Sequence, residues 1–257
     1  ARDREGASAA HLPEEWSLWY RAQELLEAGR IAPPGSDMLP VPDRFYPGIG
    51  LFVARDSRFA LAVKGGHNGE SHNHNDVGSV TLYKGGKPFL IDVGVETYTA
   101  KTFSPQRYEI WTMQSAFHNL PDFGGVMQSD GTAFAARDVT VDFGAAGASI
   151  FLDLAGAYPP AAALRSYRRT VRLVRGDAVE IEDIHEGDRA ATLSLMVVDP
   201  PVISGHHMVF EGLGTIEVEG AAAIMIEPID ITDARLRQAW PARIHRLRLP
   251  FEAGRLK

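Results

Sequence analysis

The chain has 257 residues, 45% hydrophobic and 23% charged, with a formal net charge of −7 and no cysteine. It is long enough for one large core or two ordinary ones, and its acidic balance argues against a broad nucleic-acid face. Disulfides and thiolate sites are excluded, so any metal must be held by His, Asp or Glu; no run of about 18 apolar residues offers a membrane-spanning helix.

The first residues, "ARDREGASAAHLPEEW", carry no initiating Met and no apolar signal core. They read as an internal cut or a processed end. Residues 13–28, "PEEWSLWYRAQELLEA", have the marks of a helix. Pro13 suits the first helical position, Glu14 and Glu15 complement the dipole, and Gly29 fits the stop. Trp16, Trp19, Tyr20 and Leu26 share one face of it, which must pack against something. The Pro-rich stretch 32–48 reads as a linker. The expected division is therefore a helical and linker segment over 1–48 and a β-domain over 49–257.

From Leu51 the apolar pattern has period two. "RFALAVK", "GSVTLYK", "KPFLIDV", "ASIFLDL", "AVEIEDI", "ATLSLMVV", "TIEVEG", "AAIMIEP" and "ARIHRLRL" are expected strands, most of them bounded by Gly, Asp or Pro turns. "RSYRRTVRLVR" (165–175) reads as a strand with a charged outer face. No second helix is evident after residue 30, so a parallel βαβ arrangement is disfavoured. The fold class predicted is all-β, a large antiparallel sandwich.

"VTLYK-GG-KPFLI" predicts a hairpin closed by Gly85 and Gly86. In simple register Leu82 faces Phe89, Val80 faces Ile91, and Ser79 faces Asp92. Asp92 then lies in an apolar strand between Ile91 and Val93, where an unpaired carboxylate would be costly. His72 and His74 lie just upstream of Ser79, at the same end of the hairpin. Two imidazoles and a carboxylate are a normal zinc environment. His118 in "QSAFHNLP" is a candidate third ligand, with His67 and Glu70 also nearby in the chain. A His-X-His pair alone is weak evidence, and the matching Asp is what strengthens it. Asn75 and Asp76 are read as turn or supporting residues. Glu96, Tyr98 and Tyr108 could do acid–base chemistry but are read as structural, His206–His207 as a turn, and His11, His185 and His245 are given no role.

"SHNHNDVGSVTLYKGGKPFLIDVGVETYT" followed by "RYEIWTMQSAFHNLP" resembles the β-domain of heparinase II/III-like polysaccharide lyases, densely from about Tyr46 to Gln128. The resemblance implies an enzyme joining an N-terminal α/α toroid to an antiparallel β-sandwich, with the cleft between them. It implies β-elimination on uronate-containing polysaccharides in a periplasmic or secreted setting, with an acidic polysaccharide as partner. It implies zinc held structurally by His74, Asp92 and His118, with His72 facing the substrate as the catalytic histidine. The toroid's Tyr and Asn or His have no counterpart in this sequence. The helix at 13–28 would be the toroid's last remnant, and the chain by itself an incomplete enzyme. Two other readings stand beside this one. The first is a zinc hydrolase with Glu70 as general base; the second is a non-catalytic sandwich stacking sugars on Trp111, Tyr98 and Tyr108.

Overall fold

The computed structural model describes residues 42–257, and all the strand pairs of the named sheets are antiparallel. The first sheet runs β1 (Arg44–Tyr46), β2 (Leu51–Arg55), β3 (Phe59–Lys64), β5 (Val80–Lys84), β6 (Lys87–Leu90). The second runs β19 (Gly254–Leu256), β12 (Ala178–Gly187), β11 (Leu164–Val174), β10 (Gly147–Asp153), β9 (Arg137–Phe143). A third has the order β17 (Met225–Asp230), β18 (Arg243–Phe251), β13 (Ala191–Val197), β7 (Pro121–Phe123). Two small sheets, β14–β16 (Val202–Ser204, His207–Phe210, Gly214–Glu217) and β4–β8 (His67–Asn68, Gly131–Ala135), complete the set. The sandwich expected from the period-two pattern is what forms. The only α-helix among the described residues is the four-residue α1 (Leu236–Ala239), and no described helix is long and apolar enough to cross a membrane.

The expected helix at 13–28 and the linker before residue 42 lie outside the described residues. β1, however, falls inside the stretch expected as linker and pairs with β2, Phe45 opposite Phe52. Pro-rich flanks hid a three-residue edge strand, which proline tolerates at its boundaries.

Alternation decides what is buried. Along β10, Ala148, Ile150 and Leu152 point inward and their neighbours do not. They meet Phe52, Leu61 and Val80 of the first sheet, with Leu193, Leu247 and Leu249 of the third. A smaller cluster of Ile91, Val93, Met196, Ile231, Leu236 and Ile244 lies where β6 runs out.

β11 has the charged outer face expected of it and one arginine more on its inner face. Arg165, Arg168 and Arg172 do point outward, but Arg169 shares its parity with Tyr167, Val171 and Leu173 and is fully buried. Its guanidinium forks onto Asp183 of β12, Nε to Oδ1 at 2.7 Å and Nη2 to Oδ2 at 2.6 Å. Tyr167 donates to the same carboxylate at 3.0 Å. Nη1 donates to the carbonyls of Gly78 and Asn119, at 2.8 and 2.6 Å. Gly78 must stay glycine, because its φ is +92° and a Cβ would lie 2.5 Å from Leu154.

The hairpin turn is as expected, with Gly85 and Gly86 both at positive φ. The register is not. Lys84 faces Lys87 and Tyr83 faces Pro88, but a bulge then shifts Leu82 opposite Leu90. Phe89 is therefore not opposite Leu82, and neither Val80–Ile91 nor Ser79–Asp92 pairs directly. The chain leaves β5 after Leu90, and the Ile91 amide donates to Met196 instead. The Asn119 carboxamide fills the opening: Nδ2 donates to Val80 and Ile91 carbonyls at 2.6 and 3.0 Å, while Oδ1 accepts from the Met196 amide at 2.7 Å. A side chain 28 residues downstream of Ile91 thus satisfies backbone groups that the ladder leaves behind.

Removing Arg169 leaves a buried, uncompensated Asp183 and two orphaned carbonyls. Arg169→Met should lower the unfolding free energy in urea by about 3–5 kcal/mol. Arg169→Met with Asp183→Leu should recover part of that loss, because the stranded charge is gone while the carbonyls remain unpaired. A single variant as stable as the parent would show that the pair does not hold the core.

Candidate metal centre

The loop before β5 presents its polar residues in a fixed order because its backbone is anchored from several directions. Asn68, Asn73 and Asn75 are all buried. Gln128 grips the loop like a strand neighbour, donating to the Val77 carbonyl at 2.7 Å and accepting from the Val77 amide at 3.1 Å. Arg107 donates Nε and Nη2 to the Asn73 carbonyl, at 3.2 and 2.9 Å, and Tyr108 donates to Asn73 Oδ1 at 2.7 Å. Burial raises the Tyr108 phenol and nearby Asp130 adds to the shift, so it remains a proton donor. Lys64 pairs with Asp76 at 2.5 Å and lies 3.6 Å from Glu70.

His72 sits at φ +60°, a left-handed conformation uncommon outside glycine. That residue breaks the extended alternation, so the two histidines face different surroundings. His72 is exposed and packs near Tyr98, whereas His74 faces His118, their ring centroids 5.3 Å apart. The ligand atoms of His74, Asp92 and His118 all lie within 4.8 Å of one another. His67 and Glu70 are outside this group: His67 Nδ1 accepts from the Gly69 amide, and Glu70 faces Lys64.

His118 follows the 3-10 turn Ser115–Phe117, and one arginine holds the chain on each side of it. Arg246 of β18 donates to the Ala116 carbonyl at 3.1 Å and stands 4.4 Å over the Phe117 ring. Arg169 holds the next residue, Asn119, by its carbonyl. The His118 ring is 1% exposed, and its Nε2 lies 3.2 Å from the Thr112 carbonyl. That contact places the proton on Nε2 in the neutral ring and turns an Nδ1 lone pair toward Asp92 Oδ2, 3.2 Å away. Apart from that contact, buried Nδ1 has no hydrogen-bond partner among the described residues. A lone pair opposite a carboxylate requires either a proton or a cation between them.

The electrostatics state the same requirement. Burial pushes the Asp92 carboxyl up, but His118 and then His74 outweigh it and hold Asp92 well below the usual carboxylate range. Burial pulls His118 down, yet Asp92 and Asp76 leave it raised. His74 is lowered to about 4 by burial, with His118 adding to the shift, against the pull of Asp76 and Asp92. At neutral pH, His74 is a free base aimed at the point where the other two converge. Two imidazoles and one carboxylate with a backbone carbonyl behind His118 fit a divalent cation, because the second nitrogen's partner fixes the ligating tautomer.

Asp92 also borders a cavity of about 330 Å³ lined with Lys64, Glu70, Asp76, Ser79 and Thr81. Ser79 and Asp92 thus remain neighbours across a cavity although the ladder does not pair them. Sequence reasoning missed Gln128, Arg107 and Asn119. Nothing in their local pattern marks them, since each acts on backbone far away in the chain. Of the aromatic residues considered as sugar stackers, Trp111 is tied to Glu96 at 2.7 Å and Tyr108 to Asn73, while Tyr98 is exposed.

The family model Heparinase II/III-like, C-terminal matches residues 38–227. Among solved structures, the heparinase III BT4657 gene product is similar with a TM-score of 0.67 at 17% identity, over 90% of this chain. A crystal structure of heparinase III gives 0.64 at 18% identity over 85% of this chain. Heparan sulfate lyase HepC from Pedobacter heparinus gives 0.62 at 15% over 91%. At such identities the likeness speaks for the fold alone. The chain spans 37%, 36% and 37% of the lengths of these three proteins. None of the curated proteins matches by sequence.

In protein kept metal-free by a chelator, the two histidines should shape stability in opposite directions. His118, raised above 6.5, contributes stability that is present below 6.5 and lost as pH climbs through its folded value. His74 remains neutral to about 4 while the unfolded chain takes its proton near 6.5, so stability falls as pH drops across that window. Urea midpoints of the chelated protein should therefore peak near pH 6.5, and His74→Gln should flatten the acid limb. An unchanged acid limb in that variant would remove His74 from the titrating set.

Proposed function

The chain belongs to the heparinase II/III-like C-terminal family, and from that footing we propose that it is the β-domain of a polysaccharide lyase cleaving uronate-containing glycans by β-elimination. The observation that carries this reading is the partition of the two histidines. His74 is turned toward Asp92 and His118, and His72 is presented to solvent two residues earlier. Zinc is the proposed metal, bound by His74, Asp92 and His118, and when bound it would supply a rigid cross-link without itself taking part in proton transfer. Heparan sulfate-like glycans are the proposed substrates, and the periplasm or the exterior the proposed compartment. The partner proposed to complete the cleft is an α/α toroid of the same full-length polypeptide.

Elimination needs three things: the uronate carboxylate must be offset, the C5 proton removed, and the leaving oxygen protonated. His72 is the residue of this domain placed to act on the sugar. In its neutral form the imidazole can take the C5 proton, and in its charged form it can donate to the carboxylate and acidify that proton. Its surroundings favour fixed placement. Arg107 and Tyr108 hold Asn73, and the left-handed φ of His72 sets the ring outward. A metal bound through His74 would immobilise the other side of the same loop. Orientation of this kind lowers the entropic part of the barrier.

In the full-length enzyme, His72→Ala should keep about one equivalent of zinc and a normal melt while losing most formation of the ultraviolet-absorbing unsaturated product. His74→Ala and His118→Ala should lose the zinc and melt lower, with activity lost as a consequence. A rate that falls toward acid assigns His72 as base; one that falls toward alkali assigns it as charged donor. Products lacking the conjugated double bond would point instead to hydrolysis and overturn the lyase reading.

A further inference from the structure

The surface beside His72 carries rings that a folded chain would ordinarily cover. Phe103 is 66% and Tyr98 41% exposed. The His72 ring lies 6.1 Å from Tyr98 at an interplanar angle of 20°, and 6.2 Å from Phe103 edge-on. Tyr98 and Phe103 meet edge to face at 5.4 Å. The Arg235 guanidinium stands 5.0 Å from the Tyr98 centroid and makes no ion pair among the described residues.

The rings are exposed but their backbone is fixed. The Thr99 amide donates to Thr102 Oγ1 at 3.0 Å, and Arg107 Nη1 donates to the Thr102 carbonyl at 2.9 Å. The Thr97 amide donates to Asp233 Oδ2 at 3.1 Å, and Asp233 Oδ1 accepts from the Arg235 and Leu236 amides. Trp240 donates to the Val93 carbonyl at 2.8 Å and ties the α1 segment to the chain just after Asp92. The exposed Phe103 ring and a guanidinium that rests on Tyr98, with no ion pair among the described residues, are thus held ready, which spares a ligand the cost of ordering them.

We propose that Tyr98, Phe103 and Arg235 form a binding subsite for one ring of an anionic sugar chain, next to the sugar that His72 addresses. The C–H face of a pyranose would stack on the exposed rings. Arg235 would pair through parallel N–H donors with the carboxylate or sulfate of that sugar. A guanidinium with no acidic partner among the described residues, beside a stacking face, is complementary to an acidic glycan and not to a neutral one. The inference rests on the lyase reading for its substrate class, but it is tested by binding and not by turnover.

The test is calorimetric titration of the 257-residue chain with three tetrasaccharides: uronate-containing and unsulfated, uronate-containing and sulfated, and a neutral glucan. Both acidic tetrasaccharides should bind, and the neutral one about tenfold or more weaker. Phe103→Ala should weaken both acidic ligands about tenfold. Arg235→Gln should weaken them by about the same factor and leave the neutral glucan unchanged. If only the sulfated ligand responds to Arg235→Gln, the guanidinium reads sulfate; if both respond equally, it reads the carboxylate. Zinc content and melting temperature should be unchanged in both variants. In the full-length enzyme the same substitutions should raise KM more than they lower kcat. No binding by the unsubstituted chain, or unchanged acidic-ligand affinity in both variants, overturns the subsite. Binding that responds as expected in an enzyme forming no unsaturated product would keep the subsite and overturn the lyase reading.

Discussion

A single buried guanidinium ties the two faces of this sandwich to the loops that carry its chemistry. Arg169 has all its charge compensated by Asp183 on the neighbouring strand, and it spends its remaining donor on two carbonyls of another part of the chain. Those carbonyls belong to Gly78, which ends the His-X-His loop, and Asn119, which follows His118. A planar fork with five donors can satisfy a carboxylate and two carbonyls at once, and lysine could not. Burying such a group is costly by itself, so the pair contributes geometry more than net stability. It ties the end of the loop that brings His74 to the residue that follows His118.

Asn119 continues this logic one residue on from the ligand. A regular hairpin would have carried Asp92 along a paired strand. The bulge and the departure of Ile91 toward Met196 instead open the sheet, and the carboxamide closes the hydrogen-bond account. The result is a carboxylate at the lip of the sheet, about a third exposed, facing a fully buried imidazole. Burial alone would favour the neutral form of both groups; their proximity holds the Asp92 carboxyl low and raises His118. His74 is the exception, since burial, with His118 adding to the shift, lowers it to about 4 and leaves it a neutral base at neutral pH. This inequality between neighbouring imidazoles leaves one neutral nitrogen base beside the Asp92 carboxylate, a donor set suited to a cation.

The division of labour across two residues depends on one backbone angle. An extended His-X-His would present both rings on the same side. The positive φ of His72 rotates its ring outward, while hydrogen bonds to Asn73 from Arg107 and Tyr108 keep the intervening residue buried. The exposed histidine then joins Tyr98 and Phe103, which lie on the segment that the Asp92 strand becomes. Cluster and aromatic surface are thus two sides of one short stretch of chain.

Much of this molecule could be read from the order of its residues. Period-two alternation announces strands, the Gly85–Gly86 pair announces a hairpin, and an Asp among apolar residues announces a partner. These signals are local, because a side chain's face and a turn's φ are decided within a few residues. Parity along "RSYRRTVRLVR" even places Arg169 inward with Tyr167, Val171 and Leu173, although its charge suggests the opposite. What tertiary structure alone decided was every arrangement that depends on a remote partner. The bulge that changes the register at Leu82, the insertion of Asn119 between separated strands, and the grip of Gln128 on Val77 have no local signature. Each answers a backbone donor or acceptor that is left unpaired only once the sheets have packed, and its partner can be chosen only by the space that packing leaves.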